Sequence, residues 1–309
     1  VSLTLALRSL FRAAGRERAT EAVRTEECLA PFSPVRLGDW LALAAAAGVA
    51  AVPALRLGDI AAFDLASLAG DSEDPVSADG HAAVQRLTAA LRDAPAASVL
   101  RWDIGCLEIT RAAAKAGRRP EGAERGYSVF RGRVHPCFRD ARLARQAILW
   151  PQPRVAAWLR PWIEPRKIAG DTRPHPEAWR IFLGADGIIA ASLVHPEAPV
   201  APEWLAGSGC GPALAAARRL FDRMRAEHVL RRLQGDPARP DGILFTLDFL
   251  IDETGRALLL DGAPAPADDR TRPSWRCCFR PEAGLAGIAV GDGRVLTLPQ
   301  PDEGSAAAA

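Results

Sequence analysis

The segment ILFTLDFLIDETGRALLLDGAP, residues 243 to 264, constrains this chain most. Two apolar runs joined by a short Asp-Glu-Thr-Gly connection read as an antiparallel hairpin, and each run carries one acid, Asp248 within the first and Asp261 ending the second. A carboxylate taken into an apolar strand costs on the order of several kcal/mol unless a cation or hydrogen-bond donors meet it. Two such acids predict a cation site.

Strand counting sharpens the expectation. With Asp252 to Gly255 as a four-residue loop, Ile251 pairs with Arg256, Asp248 faces Leu259 and Asp261 faces Thr246. Side chains alternate faces, so Asp248, Thr246, Leu259 and Asp261 share one face, with the acids diagonal neighbours about 7–8 Å apart. Two carboxylates so placed reach one or two hard cations. A loop one residue longer or shorter puts them on opposite faces. In the alternative reading Asp248 pairs with a nearby arginine and Asp261 merely ends its strand.

With 309 residues, 49% of them hydrophobic, the chain can bury one large core or two modest ones, which excludes disorder of the whole. A formal net charge of +2 leaves no electrostatic footprint for nucleic acid. Lys115 and Lys167 are the sole lysines, so nearly all positive charge is arginine. Cys28, Cys106, Cys137, Cys210, Cys277 and Cys278 form no C-x-x-C pair, which points to a reduced cytoplasmic compartment. The N-terminal VSLTLALRSLFRAAGRERA reads as an amphipathic helix rather than a signal peptide, and no segment reaches the apolar length of a membrane span.

Periodicity predicts helices at 2–14, 36–48 and 81–94, with 64–80 as an acidic loop between the last two, giving a helical or α/β N-terminal region over residues 1–96. A strand in ASVLRWDIG follows, with Asp103 at its end turned toward a cleft. Next come a helix at 107–116, an arginine- and glycine-rich loop at 124–134, a helix at 139–149 and a strand at 154–163 whose Pro161 suits an edge or a bulge. A hairpin at 179–194, a helix at 212–228 and the acidic hairpin complete an α+β arrangement on an antiparallel sheet, before a disordered tail at 299–309.

Three of these segments, AWLRPWIEP, AWRIFLGADGIIAASL and the closing hairpin, together resemble the ATP-grasp superfamily, especially its divergent branch of cell-division-cycle assembly factors and related bacterial proteins. The resemblance spans residues 98 to 265. It implies two α+β lobes with antiparallel sheets gripping a nucleotide, here a middle lobe at 97–155 and a C-terminal lobe at 156–298. It further implies ATP and Mg²⁺ as cofactors, with Asp248 and Asp261 holding the metal, Arg180 contacting phosphate and serving catalysis, Arg160 and Trp162 near the adenine, and Lys115 as a phosphate lysine. The reaction implied is ATP-dependent ligation of a carboxylate to an amine or thiol through an acyl phosphate, the acceptor being a small molecule or a protein. Where the family has an acidic-x-Asn set, this chain has Asp261-Gly262-Ala263, and Trp179 stands before Arg180 where a Glu is usual. That departure supports the alternative of a weakly catalytic or inactive nucleotide-binding assembly factor.

A different chemistry is carried by Cys210 in GSGCGPALAAA, just before a helix N-terminus that lowers a thiol pKa, with His195 or His228 as base. An ordinary glycine-rich helix entry explains the same residues.

Overall fold

A computed structural model describes residues 32–33, 35–70, 75–149, 153–168, 175–194, 207–226, 244–264, 277–280, 285–290 and 295–297. The expected helix at 2–14 and the tail at 299–309 lie outside them, as do His195 and His228. The chain divides into two units, one of Val1–Trp40 with Val52–Ile163 and one of Leu41–Ala51 with Glu164–Ala309. The division runs through the first described helix, α1 (Leu37–Ala46).

In the first unit the most apolar strand takes the centre. RVAAWLRP forms β5 (Arg154–Pro161), flanked antiparallel by β1 (Leu55–Ala61) and β2 (Ser98–Trp102). Val155, Ala156, Ala157 and Leu159 are all buried, as a strand covered on both faces requires. Pro161 is tolerated because it is the last residue, opposite Ser98, and the bulge anticipated for this strand falls instead on β1, between Arg56 and Gly58. Strand β1 and α2 (Ala62–Ala69) correct the expected helix-then-loop order of this region. The acid of α2 explains why 64–80 looked like a loop: Asp64 is buried, and it accepts from the Ser77 backbone N–H at 2.8 Å and hydroxyl at 2.7 Å. Ser77 in turn caps α3 (Ala78–Ala90) by accepting from the Gly80 N–H.

After α4 (Glu108–Lys115), the segment expected as a loop at 124–134 is a hairpin, β3 (Tyr127–Phe130) with β4 (Arg133–Pro136). Arg131 and Gly132 make its two-residue turn with φ of 48° and 74°, the left-handed pair that matches strand twist. Helix α5 (Ala141–Leu149) then returns to pack on α2. Ile60, Leu65, Leu87, Leu100, Trp102, Tyr127 and Leu143 meet in the core.

The second unit contains a seven-stranded antiparallel sheet. In chain order its strands are β8 (Ala178–Leu183), β9 (Ile188–Leu193), β10 (Phe245–Ile251), β11 (Ala257–Pro264), β12 (Cys277–Arg280), β13 (Leu285–Val290) and β14 (Val295–Thr297). Their spatial order is β11-β10-β8-β9-β12-β13-β14. A short separate ladder pairs β6 (Lys167–Ile168) with β7 (His175–Pro176). Helix α6 (Cys210–Ala226) packs on β8 to β11 through buried Ala213, Ala217, Leu220, Phe221 and Met224, the spacing of a helix with one apolar face. The outer edge of β11 is met by Ala50 and Ala51: Ala51 bridges Leu259 in parallel and the Leu259 N–H donates to the Ala50 carbonyl at 2.8 Å.

The hairpin register differs from the sequence count in two compensating ways. Ile251 pairs with Ala257, so the connection is Asp252 to Arg256, one residue longer than expected. Asp252 explains the extra residue: one of its carboxylate oxygens accepts from the Thr254 N–H at 2.9 Å, the Thr254 hydroxyl at 2.6 Å and the Arg256 N–H at 3.0 Å. A longer loop alone separates the acids onto opposite faces. A bulge reverses that, because Phe249 pairs with Leu259 while Asp248 pairs with Asp261, leaving Leu260 as the extra residue.

Candidate functional site

The bulge makes Asp248 and Asp261 direct cross-strand partners, closer than the diagonal pair expected, with Cβ atoms about 4.5–5.5 Å apart by sheet geometry. Across the other side of β10, Asp248 pairs with Arg180 of β8, and Arg180 pairs with Ser192 of β9. A polar row of Ser192, Arg180, Asp248 and Asp261 therefore runs across four neighbouring strands. On β10 the alternate residues Phe245, Leu247, Phe249 and Ile251 are all buried, whereas the side chain of Asp248 keeps 15% exposure and that of Arg180 keeps 33%. The acids thus lie on the more open side of the sheet.

Arg180 grips Asp248 as a fork. Its Nε donates to one carboxylate oxygen and its Nη2 to the other, both at 2.7 Å. The guanidinium is held well above its usual range, chiefly by the charge of Asp248, with Asp261 adding to it and burial opposing. Two directly opposed acids repel each other.

The sequence expectations for Asp248, Asp261 and Arg180 therefore meet in one row, and the alternative of an arginine partner for Asp248 is also present. Lys115, Arg160 and Trp162 belong to the first unit. Lys115 is exposed at the end of α4. Arg160 is 2% exposed and donates from Nη2 to the Val52 carbonyl at 2.8 Å. Trp162 is half-buried, and its backbone N–H donates to the Ala97 carbonyl at 2.6 Å. Cys210 is the first residue of α6, which starts two residues earlier than expected, and its side chain is buried, which fits the helix-entry reading better than a nucleophile.

Two further acids organise the units, one of them turned elsewhere than expected. Asp103 is buried instead of facing a cleft. It accepts from the Leu37 N–H at 3.0 Å, the Ala156 N–H at 3.0 Å and the Trp158 indole at 2.7 Å, and burial pushes its pKa up against those donors. Glu177 is fully buried in the second unit, where it accepts from Arg166 Nε at 2.6 Å, the Trp179 indole at 2.8 Å and the Gly209 N–H at 2.7 Å. The latter hub escaped the sequence reading, because Arg166 and Gly209 lie 11 and 32 residues from Glu177 and meet it only in the fold.

The donor set suits a hard, oxygen-seeking cation that arrives with phosphate oxygens, because magnesium takes one or two carboxylates and fills its remaining positions with phosphate and water. Ala263 lies two residues beyond Asp261 on the same side of β11, opposite Thr246, and brings no side-chain oxygen where the resemblance expects Asn. Among the described residues no group of three or more His, Cys, Asp and Glu is placed to hold a metal by itself. Among them, too, no helix is long and apolar enough to cross a membrane.

No family model matches this chain, and no curated protein matches it by sequence. Solved structures do resemble it. Cdc123 from Schizosaccharomyces pombe is 14% identical, with 86% of this chain and 95% of that one covered and a TM-score of 0.39. A C-terminally truncated form of the same protein is 15% identical over 77% of this chain and 86% of its own, with a TM-score of 0.38. The D-alanine-D-alanine ligase from Coxiella burnetii is 11% identical over 82% of this chain and 52% of its own, with a TM-score of 0.33. No residue role is transferred from these likenesses.

Proposed function

We propose that this chain binds ATP with Mg²⁺ on the open side of the second unit's sheet, as an ATP-grasp-like protein, and uses it to ligate a carboxylate to an amine or thiol. The observation that supports this reading is the direct opposition of Asp248 and Asp261 beside Arg180, on the segments that carry the sequence resemblance. Asp248 and Asp261 would hold the metal, and Arg180 would meet a phosphate. When bound, Mg-ATP supplies a phosphoryl group to the carboxylate with loss of ADP, and the amine or thiol then displaces phosphate from the acyl phosphate. The chain's own contribution is charge placement, since positioning and electrostatic stabilisation account for most of the catalysis in phosphoryl transfer.

Calorimetry of ATP with and without Mg²⁺ tests the binding step. Asp248→Ala should abolish Mg²⁺-dependent ATP binding, and unchanged binding in that variant overturns the assignment. A second reading, a nucleotide-binding assembly factor without turnover, is favoured by Ala263, which leaves the metal one side-chain ligand short of the family pattern. ADP release stimulated by candidate acids and amines would identify the ligase, and nucleotide binding without such stimulation would identify the assembly factor.

A further inference from the structure

The first unit carries a site of a different kind, built around an unmet donor. Trp102, the last residue of β2, is 2% exposed, and its indole N–H finds no acceptor among the described residues. Other indoles of the chain are satisfied: that of Trp158 donates to Asp103 at 2.7 Å and that of Trp179 to Glu177 at 2.8 Å. A buried donor left unmet keeps its desolvation cost, so an orphaned indole N–H favours an acceptor from outside the chain. The space beside the ring follows from the sheet register. Gly58 of β1 and Trp102 of β2 both pair with Ala157 of β5, so the three form one row, with the large ring beside two residues of little or no side chain. A Cβ built on Gly58 meets nothing within 4 Å. Val84 and Leu87 of α3 and Phe138 complete a cleft over this row, the Phe138 ring lying 5.9 Å from that of Trp102. Its volume of about 10 Å³ admits one water-sized group, so a larger molecule seats only its tip there.

We propose that this cleft is a binding site for a small neutral molecule with a slender apolar body and a carbonyl-type acceptor at its tip, which takes the Trp102 indole N–H. The buried side chains that line the cleft are Ile60, Ala83, Leu87, Trp102 and Ala157, and of these Trp102 alone carries a hydrogen-bonding group. That composition sets the chemistry of the ligand. A cation meets a donor of the wrong sign, and an anion gives up its hydration for one neutral N–H. The two charged residues that line the cleft, Asp59 and Arg86, are of opposite sign and keep contact with solvent, so they add no net charge to draw an ion inward. A ligand with donors only leaves the indole unmet, and a branched tip exceeds the space.

The test follows that indole directly by nuclear magnetic resonance of the full chain, labelled on nitrogen. The probe is methyl propyl ketone, an unbranched neutral molecule with one carbonyl. Trp102→Phe identifies the Trp102 indole N–H signal by its loss. In wild type this signal should move and saturate at millimolar ketone while those of the other tryptophans stay in place. Followed at the Val84 backbone amide, Trp102→Phe should bind the ketone about threefold to tenfold more weakly, the worth of one neutral hydrogen bond. Val84→Phe fills the cleft and should abolish the shift of the Trp102 signal. A Trp102 signal that does not move, or moves without saturation, overturns the proposal. So does a contact between this N–H and water that persists at the highest ketone concentration, since the cleft is then a hydration site only. If neither variant folds, the signal is assigned through its own backbone in wild type, and the wild-type titration decides alone.

Discussion

At the residue scale, three acids of this chain, Asp248, Glu177 and Asp103, are met by different kinds of partner. Asp248 is balanced by an arginine fork, Glu177 by an arginine with an indole and a backbone N–H, and Asp103 by two backbone N–H groups and an indole. Charge compensates the first two, whereas Asp103 relies mainly on hydrogen bonds and is held above its usual pKa by burial. For a carboxyl group raised on folding, the stabilising contribution is present below the unfolded pKa and is lost as pH rises through the folded one. The free energy of wild type relative to Asp103→Asn should therefore decline from about pH 3.8, the unfolded value, upward through the raised pKa. Urea unfolding of both proteins at a series of pH values checks this, and a difference that grows with pH contradicts it. The sequence marked Asp248 as an acid in an apolar run, but not the burial of Asp103 or Glu177. It did not show the partners, because Leu37 and Ala156 lie 66 and 53 residues from Asp103 and meet it only through the tertiary fold.

At the element scale, local patterns were legible and long-range pairings were not. Helices α3, α4, α5 and α6 and the hairpin of β8 with β9 follow from apolar spacing and turn residues. Strand β1 escaped because its ladder partner β5 lies about a hundred residues on and a bulge interrupts its alternation, so nothing local marks it. The β3–β4 hairpin was obscured because an arginine fills the first left-handed position of its turn, where Gly, Asn or Asp would have announced it. Docking of α6 depends on Gly209 at its entry: a Cβ there meets Ile251 side-chain atoms at 2.4 and 2.5 Å. Gly209→Ala should destabilise the protein by about 1–3 kcal/mol, the usual cost of overpacking. Chemical denaturation measures the loss, and the simultaneous weakening of the Gly209 N–H to Glu177 contact should show as faster amide exchange at that position.

At the scale of the whole molecule, residues 35–52 serve both units. The Leu37 N–H satisfies Asp103 in the first, while Ala50 accepts from Leu259 and meets the edge of β11 in the second. A chain beginning at Val52 should lose both contacts at once. Its exposed β11 edge is a template for pairing with other chains, so we expect concentration-dependent association by light scattering, absent from the intact protein under the same conditions. An α+β class was legible from the pattern of elements, but this double use of one segment was not, since it joins positions more than two hundred residues apart.

The bulge at Leu260 has a consequence for comparing this protein with distant relatives. A hairpin aligned without gaps assigns Asp261 the partner it would have in a regular ladder and moves it to the wrong side of the strand. Placing the length change at Leu260, and not in the Asp252–Arg256 turn, preserves the opposition of Asp248 and Asp261. Relatives whose turns differ by one residue can then retain the paired acids by gaining or losing a bulge, so turn length alone is no measure of whether the site has been kept.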